Sequence, residues 1–164
     1  MIVVSDTTPL ISLMKAARLE VLEKLYNEIM IPEAVYSELT TNDKYAEEAE
    51  EIGECAFIRV VAVGERKAVE VLRKVSGLDL GESEAIIYAD DHGADILLMD
   101  EDAGRRVAKA MGIRVRGTIG VLLLAYDKGV LSADDVDDAV NRLRAANRRI
   151  SEALYQYAHD YVRK

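Results

Sequence analysis

Residues 2–6, Ile2-Val3-Val4-Ser5-Asp6, and residues 96–100, Ile96-Leu97-Leu98-Met99-Asp100, share one form: a short apolar run that stops on an acid. Short continuous apolar runs suit strands buried on both faces of a parallel sheet. In such α/β proteins the residues at the carboxyl ends of the strands line the ligand crevice. The pair therefore predicts both a fold class and the position of a site. Two aspartates at strand ends, with Glu38 and Glu84 on helices between them, would make an all-oxygen pocket suited to Mg²⁺ or Mn²⁺. That chemistry points to a metal-dependent enzyme acting on phosphate esters.

Working outward, further strand candidates are 28–31, 57–63 and 113–116, with helical periodicity between and after them. Thr8-Pro9 has the form of an N-cap and first helical residue directly after Asp6. Pro32 opens a helix carrying Val35 and Leu39. Residues 43–53 read as an acidic exposed helix, and 65–75 as one with Val69, Leu72 and Val75 inward. Gly81 leads into a helix ending near His92-Gly93. Helices at 101–111 and 117–127 follow, and Ser132 with Asp135 resembles a capping box opening another. The alternation predicts an α/β fold, a three-layer α/β/α sandwich around a parallel sheet of four to five strands. Residues 1–130 form the expected catalytic domain, and 131–164 a helical C-terminal extension of it.

The chain has 164 residues, 50% hydrophobic and 31% charged, in the range of one ordinary globular domain. No secretory signal is evident, and no apolar run is long enough to span a membrane. The single cysteine, Cys55, allows no intrachain disulfide and fits a reducing cytoplasm. A net charge of −9 counts against broad, non-specific nucleic-acid binding. It leaves room for local basic patches, one at Arg105, Arg106, Lys109, Arg114 and Arg116, another at Arg142, Arg144, Arg148 and Arg149. His92 and His159 lack zinc-ligand spacing, and no phosphate-binding glycine loop is present.

Each acid has a structural alternative. Asp6 could cap the first helix, but Thr8 already fits that role. Asp100 directly ends its strand, with Asp102 as a neighbouring or alternative ligand. Glu38 lies in the last turn of its helix, where the macrodipole disfavours a negative charge and a nearby cation would offset the cost. Glu82 and Glu84 are separated by about 200° around a regular helix, so only one can face a given pocket.

Four segments in order resemble the PIN-domain family, which includes VapC-type toxins and related prokaryotic ribonucleases: VVSDTTPLISL at 3–13, IPEAVYSEL at 31–39, GESEAIIYA at 81–89, and ILLMDEDAGRRVAKAMGIRVRGTIGVLL at 96–123. The resemblance is greatest to a less characterised prokaryotic subgroup. It implies a parallel sheet between helices, an acidic pocket holding Mg²⁺ or Mn²⁺, and cleavage of single-stranded RNA. Position by position it carries the acidic roles to Asp6, Glu38, Glu84 and Asp100, favouring Glu84 over Glu82, and it makes Thr7 a water or metal neighbour. Arg105 and Arg106 are expected to help hold the RNA backbone. A toxin role would add an antitoxin protein as partner; a PIN-like module that binds RNA or protein without cleaving is the alternative. The last helix, with Ile150, Leu154, Tyr157 and Tyr161, has few obvious partners within the chain. A homodimer is therefore expected, its tyrosines serving packing or an interface rather than base stacking.

Overall fold

The computed structural model describes residues 1–164. Five short strands, β1 (Val3–Ser5), β2 (Ile29–Pro32), β3 (Ile58–Val61), β4 (Ile96–Leu98) and β5 (Val115–Arg116), form an all-parallel sheet in the order β3-β2-β1-β4-β5. Each expected strand is present, β2 shifted by one residue toward Pro32 and the other four shortened. The central pair is in direct register, Val3 beside Ile96 and Ser5 beside Leu98. Asp6 and Met99 therefore leave the sheet side by side, and the Asp6 N–H still donates to the Leu98 carbonyl, 3.0 Å away.

The strand period of two sends alternate residues into two cores. Val3, Ile29, Ile31, Ile96 and Leu98 join a core of 29 buried residues on one face. Val4, Leu97 and the partly buried Met30 belong to a second, of 13 buried residues, on the other. The larger core is roofed by α1 (Thr7–Lys15), α2 (Glu20–Tyr26), α3 (Glu33–Thr41), α4 (Ala46–Glu54), α8 (Thr118–Asp127), α9 (Ala133–Ala145) and α10 (Glu152–Val162). The smaller is covered by α5 (Arg66–Ser76), α6 (Leu80–Asp91) and α7 (Asp102–Ala110). This is the three-layer α/β/α sandwich. No helix is long and apolar enough to cross a membrane.

Several local expectations change. The first helix begins at Thr7, so the N-cap position falls to Asp6 and Thr8 lies inside the helix. Asp6 has extended backbone there, yet its side chain makes no capping bond of the usual kind. Helix α2 was not singled out by periodicity; its buried residues are only Val21, Leu22 and Tyr26. Val75 is 81% exposed rather than inward. The expected acidic helix at 43–53 is a 3₁₀ turn, Asp43–Tyr45, followed by α4. The capping box of Ser132 and Asp135 is present.

The last helix finds its partners within the chain. Tyr155, Ala158 and Val162 are its buried face, packed on α8 and α9. Ile150 and Tyr161 pack against the same core half-buried, whereas Leu154 and Tyr157 stay exposed. The expected stripe is thus rotated from the true one. Of the residues that suggested a dimer, Ile150 and Tyr161 are partly covered by the domain itself, and Leu154 and Tyr157 are not.

Candidate active site

Asp6 stands where β1 ends, and it is buried, 4% exposed. Burial pushes its carboxyl well above the usual carboxylate range. A hydrogen bond from the Thr7 backbone N–H opposes this, while the nearby charges of Glu82, Asp79 and Glu38 add to it. No basic side chain offsets them.

The neighbours come from α3 and α6. The Thr7 hydroxyl donates to Glu38 Oε2 at 2.9 Å, tying the end of α3 to the start of α1. Asp79 and Glu82 form the capping box that opens α6: Glu82 N–H donates to Asp79 Oδ1 at 2.7 Å and Asp79 N–H to Glu82 Oε1 at 3.2 Å. Burial raises the Glu82 carboxyl to about 7, helped by the charges of Asp79 and Glu101. Gly81 lies between two of these acids: a Cβ there would stand 3.6 Å from both Asp79 Oδ1 and Glu38 Oε2.

Glu84 is placed differently. Its Oε2 accepts from Arg66 Nη1 at 2.7 Å and its Oε1 from the Ala34 N–H at 3.1 Å. It neutralises a guanidinium and satisfies an otherwise free donor at the start of α3. The half-turn between Glu82 and Glu84 leaves Glu82 among the charges that act on Asp6, while Glu84 faces Arg66 and the start of α3. Sequence order alone does not record which side of α6 meets β1. Asp79 is not among the acids that the sequence singles out. The Asp-x-x-Glu spacing marks it as a helix cap, but nothing local marks it as a neighbour of Asp6.

Asp100 follows β4 by two residues and bonds to the start of α8. Its Oδ1 accepts from the Thr118 N–H and its Oδ2 from the Thr118 hydroxyl, both at 2.7 Å. Gly117 permits this, since a Cβ there would come within 2.8 Å of Asp100 Oδ1. Asp100 therefore caps α8 from the end of the strand next to β5. It also lines a cleft of about 1030 Å³ with Asp102, Arg105, Arg116, Lys44, Arg148 and Arg149. Arg105 donates to the Met99 carbonyl at 3.0 Å, which holds it at the mouth of the strand end. Arg106 is exposed and lies outside that lining.

The donor chemistry fits a hard divalent cation. Every side chain offered is an oxygen ligand, and the buried acid has like-charged neighbours but no cationic partner, whereas Arg66 is spent on Glu84. As they stand, no three of these acids converge on one ligand point. A family model described as a PIN domain matches residues 2–163. No curated protein and no solved structure matches the chain. With the sheet order and strand-end acids in place and the match running almost end to end, the chain belongs to the PIN-domain family, whose members are in general metal-using nucleases.

Proposed function

We propose that this protein is a metal-dependent endoribonuclease that hydrolyses phosphodiester bonds of single-stranded RNA, with Mg²⁺ or Mn²⁺ held by Asp6, Glu38 and Glu82. The observation that carries the reading is the buried Asp6, with acidic neighbours and no basic partner, two residues before Thr8, which lines a cleft that also holds Lys44, Arg105, Arg116, Arg148 and Arg149 together with Asp100, Glu101 and Asp102. Mutual repulsion of that kind is relieved by a proton or by a cation. Asp79 acts through Glu82, whose backbone and side chain it holds. Asp100 and Asp102 line the cleft, and Asp100 accepts one hydrogen bond on each oxygen from Thr118, which leaves a lone pair on each for a cation.

A bound divalent cation would activate water and neutralise the phosphate and the leaving oxygen. The chain's own groups orient and exclude. Thr7 holds Glu38 by a hydroxyl bond, the β1 and β4 strand ends set Asp6 and Arg105 in fixed places, and the basic cleft receives the RNA backbone. Burial of Asp6 keeps bulk water from competing for its oxygens. The toxin–antitoxin expectation rests on the resemblance alone, and the homodimer expectation on the apolar residues of the last helix, of which Leu154 and Tyr157 remain exposed.

The test has two readouts. Mn²⁺ should raise Tm and should switch on cleavage of a single-stranded RNA, and Asp6→Asn should abolish both while the far-ultraviolet spectrum stays unchanged. A variant that cleaves like the parent, or a parent whose Tm ignores Mn²⁺ and Mg²⁺, overturns the assignment. RNA binding without cleavage at any metal concentration favours the non-catalytic module.

A further inference from the structure

The cleft beside the acids has a second wall, built by the turn between α9 and α10. Helix α9 ends in a motif that leaves little freedom there. Asn147 takes φ +54°, its N–H bonds the Arg144 carbonyl, and the Arg148 N–H bonds the Leu143 carbonyl. Arg148 is then pinned to α1, its Nε donating to Ser12 Oγ at 3.0 Å. The basic patch read from the sequence is divided by this turn. Arg142 pairs with Asp138 and Arg144 with Glu152. Arg148 and Arg149 have no carboxylate partner and line the cleft, where Lys44 joins them from the opposite side of the chain. In a protein of net charge −9, unpaired cations gathered in one cleft mark where an anion is received.

The same wall carries an aromatic ring. Tyr155 is buried and Tyr161 is half-buried against the core, but Tyr157 is 54% exposed, with Leu154 one turn earlier at 41%. Both line the cleft. The Tyr157 ring leans on Tyr161 at 6.0 Å between centroids and 44° between planes, which supports it from the α10 side. A half-exposed ring beside unpaired arginines is the arrangement by which proteins hold single strands: bases stack on the ring and cations take the phosphates.

We infer that Tyr157 is a base-stacking platform for the RNA strand in the cleft, with Arg149 and Lys44 taking neighbouring phosphates. The inference rests on the nuclease reading and deepens it. It reverses the expectation that the tyrosines of α10 serve only packing or an interface. It also explains a preference for single strands, because a base engaged in a duplex cannot leave its own stack to lie on a protein ring.

The experiment is fluorescence anisotropy in EDTA, which prevents cleavage, using a labelled single-stranded RNA of about eight nucleotides and the same sequence as a duplex. Tyr157→Ala should weaken single-strand binding about ten-fold and leave duplex binding unchanged, while Tyr157→Phe keeps the parent's affinity. Arg149→Ala should weaken both RNAs and lower the slope of log affinity against log salt by about one. Tyr157 is exposed, so its truncation opens no cavity; matching melts of variant and parent verify this. Parent-like single-strand binding by Tyr157→Ala overturns the inference and leaves the nuclease reading standing. A parent chain that binds neither RNA overturns both.

Discussion

Glu82 and Glu84 lie two residues apart, are both buried, and do different work. Glu84 has a guanidinium and a backbone N–H on its two oxygens. Glu82 has one oxygen in a capping box and no basic neighbour. Opposite effects of the same change follow. Glu82→Gln should cost at least about a hundred-fold in metal-dependent cleavage, in the range found when a positioned acid is lost. It should leave stability unchanged or improved, because a buried charge goes. Glu84→Gln should instead cost about 1–2 kcal/mol of stability by weakening a charge-assisted bond to Arg66, with cleavage by the folded fraction nearly kept. Paired activity assays and urea melts decide it. Loss of activity at Glu84 with a parent-like melt would return the site to that residue.

At the scale of the element, α7 approaches α6 closely enough to need a glycine. A Cβ on Gly104 would stand 2.5 Å from Met99 Sδ and 3.3 Å from Glu82 Oε2. Met99 is fully buried, so it has little room to yield. Gly104→Ala gains up to about 1 kcal/mol of helix propensity and meets an overpacking cost of about 1–3 kcal/mol. Overpacking wins, and stability should fall by about 1 kcal/mol. Cleavage should fall further than stability accounts for, since Glu82 is displaced with Met99. An alanine variant more stable than the parent would show that α7 can slide without loss. Asp100 shows the same coupling between elements. It belongs to the end of β4, yet its hydrogen bonds hold the first residue of α8, so strand and helix share one carboxylate.

At the scale of the whole molecule, the buried acids set a pH dependence of stability. Asp6 and Glu82 have raised carboxyls in the folded chain. Between their ordinary values near pH 4 and the folded value of about 7 for Glu82, the folded state binds more protons than the unfolded. Stability therefore falls as pH rises through that window. Asp137 works the other way: burial opposes it, but hydrogen bonds from Arg163 and His159 hold its carboxyl below the usual range. Its effect is confined to more acidic solution, so the two windows do not overlap. In EDTA the Tm should be a few degrees higher near pH 5.5 than near pH 8, and Mn²⁺, or Asp6→Asn combined with Glu82→Gln, should remove most of the difference. Melts that stay level, or rise, between these pH values would mean that Asp6 and Glu82 are not held as described.

The chain alone determined what depends on local pattern. Five apolar runs became five parallel strands, and the alternation with helical segments became three layers, because side-chain period and turn chemistry act over a few residues. The strand-end position of Asp6 was legible for the same reason. Tertiary structure alone decided what depends on which helix face meets which strand. It left Glu82 among the charges that act on Asp6 and turned Glu84 to Arg66 and the start of α3. It added Asp79 to the cluster, bonded Asp100 to Thr118, and rotated the buried face of α10 to Tyr155, Ala158 and Val162. Rotation about a helix axis changes little in local energy but redirects every side chain, so only long-range packing selects it.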